Sequence, residues 1–85
     1  MNNELTEKIK ECIETAMEQE VPTLFPEMLL SRDLGMESIH IVTLQVELEE
    51  TFGIQFDPLE DDFYAIFQSV DSVYKTIERK LKNYE

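Results

Sequence analysis

Few side chains in this sequence can do chemistry, and their spacing excludes most of it. His40 is the one histidine and Cys12 the one cysteine. A lone imidazole with no second histidine and no nearby thiol is a poor transition-metal site, so no metal is expected. A single thiol forms neither an intramolecular disulfide nor a thiolate cage. Ser38 precedes His40 by two positions, and residues two apart on a helix point away from each other, which argues against a serine–histidine nucleophilic pair. The carboxylates Asp57, Glu60, Asp61 and Asp62 lack the alternation and central glycine of an EF-hand loop. No glycine-rich loop is present to cradle phosphate. With no catalytic residues assembled, the chain is not expected to be an enzyme. Ser38 differs in its flank, Asp33-Leu34-Gly35-Met36-Glu37-Ser38-Ile39. A serine at a helix start after a glycine turn can project its hydroxyl to an external transferase, or serve as a first-turn or N-cap group.

The elements that position Ser38 follow from apolar spacing. Leu5, Ile9, Cys12, Ile13 and Met17 recur at three-and-four intervals and predict an amphipathic helix over residues 3–19, with Cys12 as a small buried hydrophobe. Pro22 and Pro26 forbid a continuous helix in the connection 20–37. Its Leu24, Phe25, Met28, Leu29, Leu30 and Leu34 are nonetheless too apolar for a free linker, so several should be buried. A second helix is predicted over 38–52, stopped by Gly53, with Ile54 and Phe56 packing after the turn. A short third helix is expected from Pro58 to near Phe67. A fourth, capped by Asp71 or Ser72, should carry the stripe Val73, Ile77, Leu81 and Tyr84. The predicted fold is therefore all-α, a small four-helix bundle with a long loop between the first and second helices and a short third helix.

The second helix has two apolar faces. At about 100° per residue, Ile41, Leu44, Leu48 and Phe52 form a core stripe, while Ile39, Val42 and Val46 cluster on nearly the opposite side. Either the long loop covers this second stripe, or it is a docking patch for another protein. Glu49 and Glu50 flank it and Glu37 precedes it, an arrangement suited to a basic partner surface.

Composition narrows the class further. Nineteen Asp and Glu against seven Lys and Arg leave a net charge of −12 on 85 residues. Such a chain repels phosphate, which opposes binding to nucleic acid or insertion at anionic membranes. Hydrophobic residues make up 42% of the chain, enough for a core. The length suits one domain over residues 1–85, and no apolar run suffices for a membrane span or signal peptide. A monomeric, cytoplasmic protein is expected.

The run Asp33-Leu34-Gly35-Met36-Glu37-Ser38-Ile39, continued by Val42, Leu44, Leu48-Glu49-Glu50 and Phe52-Gly53-Ile54, resembles the acyl carrier and peptidyl carrier protein family. Ile66-Phe67 and Asp71-Ser72-Val73 are similar to the third-to-fourth-helix junction of carrier domains in nonribosomal peptide synthetases. The resemblance implies a four-helix bundle whose Ser38 is esterified with 4′-phosphopantetheine, taken from coenzyme A by a holo-synthase. The arm's thiol would hold an acyl, aminoacyl or aryl group as a thioester for loading, condensing or modifying enzymes. It also implies partner contacts at Glu37, Ile39, Val42, Val46, Glu49 and Glu50. Glu37 in place of the usual aspartate, Ile39 in place of leucine, and Thr43 at an often acidic position favour a specialised pathway over housekeeping fatty-acid synthesis. The short lead before the first helix is read as that of a freestanding carrier. The rival reading is an unmodified acidic helical adaptor.

Overall fold

A computed structural model describes residues 3–83. Four helices are formed within them: α1 over Asn3–Met17, α2 over Ser38–Phe52, α3 over Phe63–Ile66 and α4 over Val70–Asn83. The all-α bundle expected from spacing is the fold observed. Ile9, Cys12 and Ile13 of α1, Leu44 and Leu48 of α2, and Val73 and Ile77 of α4 share one core, each 3% exposed or less. Burying a side chain of this size contributes about 1.5–3 kcal/mol, so this stripe sets which faces turn inward. α1 packs on α2 and α4, and α3 packs on α4. Among the described residues no helix is long and apolar enough to cross a membrane.

Helix ends account for most departures from expectation. α1 stops at Met17 rather than residue 19, because Glu18 turns into the left-handed region at φ 55°. Val21 then anchors the turn by donating its N–H to the Glu14 carboxylate at 3.0 Å. α2 has the expected bounds, and Gly53 closes it at φ 65° with its N–H on the Glu49 carbonyl. Ile54 and Phe56 are buried beyond that turn, as predicted.

The third helix is shorter than expected and starts at Phe63, not Pro58. Residues 57–61 instead form a turn. The Asp61 carboxylate accepts the Asp57 N–H at 2.6 Å, and Asp57 accepts the Leu59 N–H at 2.8 Å. Asp57 and Asp61 are therefore spent on closing a loop, a common use of Asp side chains. Asp62 then caps α3 by accepting the Ala65 N–H at 3.1 Å. α4 begins at Val70, earlier than the Asp71 or Ser72 cap allowed. Ser69 and Ser72 cap it reciprocally: Ser69 N–H donates to Ser72 Oγ at 3.0 Å and Ser72 N–H to Ser69 Oγ at 3.1 Å. Val73, Ile77 and Leu81 lie on its packed side; Tyr84 lies outside the described residues.

Asp61 also ties this turn to the end of α4. Its carboxylate pairs with Lys80 Nζ at 2.9 Å and lies 3.7 Å from Arg79, with 8% of its side chain exposed. Lys80 in turn sits over the Phe56 ring, 5.3 Å from its centroid. Burial pushes the Asp61 carboxyl up, but the Asp57 N–H, Lys80 and Arg79 together outweigh it and hold the group below the usual carboxylate range. Stability from this pair is thus complete above the unfolded carboxylate pKa of about 3.9 and is lost as pH falls through the lower folded value. Asp61→Asn is expected to cost about 1–2 kcal/mol at neutral pH, as a charge-assisted hydrogen bond is weakened. In denaturant titrations the difference from wild type should vanish once acid has protonated Asp61; a difference that persisted there would reject the assignment.

Candidate functional site

The connection from Glu18 to Glu37 packs onto the bundle. Val21, Leu24, Leu30, Leu34 and Met36 are buried, Met28 and Leu29 are half-buried, and only Phe25 of the loop's apolar residues is exposed. Leu30 N–H donates to the Gln68 carbonyl at 3.1 Å and Val70 N–H to the Met28 carbonyl at 2.9 Å. These two bonds form an antiparallel bridge between Leu29 and Ser69, clasping the loop to the α3–α4 junction.

The segment before Ser38 is built on that clasp. The Asp33 carboxylate accepts the Leu29 N–H at 2.7 Å, and Asp33 N–H donates to the Leu29 carbonyl at 2.9 Å. Met36 N–H returns to the Leu30 carbonyl at 2.9 Å, with its side chain buried. Gly35 between them has φ 71°, where a side chain is disfavoured by about 1–2 kcal/mol. Asp33, Gly35 and Met36 thereby fix where α2 begins.

Glu37, not Ser38, occupies the N-cap of α2, with extended backbone at φ −98° and ψ 175°. Its N–H donates to His40 Nδ1 at 2.8 Å, so that nitrogen of the sole imidazole is committed to capping. Ser38 is the first helical residue, is exposed, and makes no side-chain hydrogen bond among the described residues. Its hydroxyl is free for chemistry because another residue performs the cap.

Ser38 opens onto a groove of about 570 Å³ between α2 and α3. Ile41, Val42 and Gln45 form one wall, and Phe63, Tyr64 and Phe67 the other. Leu29, Ser31 and Arg32 of the loop complete it beside Ser38. Phe63 and Phe67 stack with centroids 6.3 Å apart, and Phe67 lies 5.5 Å from Phe56, which stiffens the α3 wall. An exposed serine hydroxyl at the mouth of an open, largely apolar groove fits a phosphodiester-linked arm: an acceptor oxygen accessible to a transferase, with room alongside for a flexible chain.

The second stripe of α2 is uncovered. Ile39, Val42 and Val46 are 68%, 59% and 45% exposed, so the loop does not fold over them. Glu37 and Glu50 are exposed beside them. Glu49 is half-buried, and its carboxylate accepts the Phe56 N–H at 2.9 Å, giving it a structural duty that its position alone did not reveal. Among the described residues no cluster of three or more His, Cys, Asp or Glu could hold a metal. Spacing had not singled out Arg32 or the aromatic wall of α3. Arg32 carries one available signal: it is the only Lys or Arg between Lys10 and Lys75.

Comparison with known proteins adds two findings. Residues 7–77 match the family described as "Phosphopantetheine attachment site". The chain is also 29% identical over 80 residues, 94% of its length and 88% of the relative's, to "Acyl carrier protein 3" of Ralstonia nicotianae. No solved structure matches the chain significantly.

Proposed function

Because the chain belongs to the phosphopantetheine attachment-site family, we propose that Ser38 is the residue that bears the arm and that α2 presents it to partner enzymes. Members of this family are carriers rather than catalysts, and their cofactor is covalent 4′-phosphopantetheine. When attached, the group supplies a terminal thiol that holds cargo as a thioester. The observation that carries the assignment to Ser38 is its free, exposed hydroxyl at the mouth of the α2–α3 groove, with the capping duty taken by Glu37 and His40. In the loading step Ser38 Oγ displaces 3′,5′-ADP from the pyrophosphate of coenzyme A, a P–O bond forming as another breaks, and the transferase takes the hydroxyl proton. The test is intact-mass measurement after incubation with coenzyme A and a broad-specificity holo-synthase. A gain of one phosphopantetheinyl group is expected on wild type; no gain would reject the function.

The partner face we assign to Glu37, Ile39, Val42, Val46, Glu49 and Glu50. The uncovered apolar stripe between carboxylates supports it, since such a surface steers and then holds a basic groove. Val46→Asp leaves the core untouched and is expected to slow loading by the holo-synthase at least about tenfold, equivalent to 1.4 kcal/mol. Unchanged loading kinetics would place docking elsewhere. The likeness to an acyl carrier protein over 94% of this chain and 88% of the relative supports an acyl cargo on the arm. Glu37, Ile39 and Thr43 in place of the commoner residues support a specialised pathway.

A further inference from the structure

We propose that Arg32 holds the phosphodiester that joins the arm to the protein. The inference rests on Ser38 being the attachment residue and adds a binding contact that this reading does not contain. Arg32 is the only Lys or Arg in the stretch between Lys10 and Lys75, which carries fifteen carboxylates. Arg32 is exposed and, like Lys10 and Lys82, forms no ion pair among the described residues, but of these three cations it alone lines the groove. Its neighbour Asp33 is already engaged by the Leu29 N–H at 2.7 Å. Arg32 and Ser38 line the same groove.

Esterification sets the phosphorus one bond from Ser38 Oγ and adds a full negative charge beside Glu37, on a molecule already at −12. The first turn of α2 offers some compensation through its dipole. A guanidinium supplies the rest, because its planar fork matches two phosphate oxygens at once. The clasp at Leu29 and the Asp33 turn fix the backbone on either side of Arg32, so the side chain alone must order when the charge arrives. The contact directs the start of the arm along the groove rather than into solvent.

Nuclear magnetic resonance on the holo protein tests this. Two signals are expected to move: the Arg32 Nε–H cross-peak between apo and holo forms, and the ³¹P resonance relative to a phosphopantetheinylated serine peptide. Raising salt from about 0.01 M to about 1 M shortens the screening length from about 30 Å to about 3 Å and should return both toward their free values. Arg32→Ala, once loaded, should show the peptide's ³¹P shift at low salt, with Arg32→Lys in between. An Arg32 cross-peak identical in apo and holo wild type, at full mass gain, overturns the contact and leaves the carrier assignment standing. Absence of mass gain on wild type, or equal gain on Ser38→Ala, overturns the attachment reading and this inference with it.

Discussion

Ser38→Ala is expected to abolish phosphopantetheine loading while leaving helix content and melting temperature unchanged. Both halves follow from one geometry. Ser38 is the first residue of α2, exposed, with its hydroxyl outside the hydrogen-bond network, and Glu37 with His40 forms the cap. Had Ser38 been the N-cap, alanine would have cost about 1 kcal/mol; outside the cap, an exposed substitution changes stability by no more than about 0.5 kcal/mol. Intact mass and a thermal melt of the same sample measure the two halves. Ser31 provides an internal control, since its hydroxyl is also exposed and lines the same groove. Ser31→Ala should load fully. Loading of Ser38→Ala but not Ser31→Ala would move the arm to the loop.

The second large effect concerns Leu30, which is fully buried although it lies outside every helix. Its N–H donates to the Gln68 carbonyl at 3.1 Å, and its carbonyl accepts the Met36 N–H at 2.9 Å. Leu30→Ala removes a packed side chain from the point where the loop is clasped, and a loss of about 3 kcal/mol is expected. A domain of this size has roughly 4–13 kcal/mol in total, so the loss is a quarter of it or more. The melting temperature should fall by at least about 12 °C. Chemical denaturation checks the energy, and hydrogen exchange at Leu30 and Met36 checks the location. A cost below about 1 kcal/mol would mean that the loop lies on the bundle without supporting it.

The position of α2 was legible because two strong local signals agree, the apolar spacing through Leu44 and Leu48 and the glycine at its end. The uncovered stripe of Ile39, Val42 and Val46 was legible for a related reason: a helix with apolar residues on opposite sides cannot bury both in a small bundle. The burial of Leu24, Leu30 and Leu34 followed from their being too apolar to leave in water. What escaped was decided by partners distant in sequence or by competition among similar residues. Glu37, Ser38 and their neighbours all offer oxygen to a helix start, and only the His40 ring turning back to the Glu37 N–H decides between them. Asp57 and Asp61 could have begun a helix, but the pairing of Asp61 with Lys80 across the fold favours a turn. The groove joins residues 29–32, 38–45 and 63–68, which no local pattern brings together.

The buried sulfur of α1 bears on a hazard that any thioester carrier faces, the migration of its acyl load onto another sulfur. Cys12 is 3% exposed, and its thiol donates to Thr51 Oγ1 at 3.3 Å. Burial pushes its pKa up, with Glu47 and Glu11 adding to the rise against the Thr51 hydrogen bond, so the reactive thiolate is scarce. The only cysteine of the chain is thereby withheld from transacylation, and the sulfur of the prosthetic arm has no competitor within its own protein.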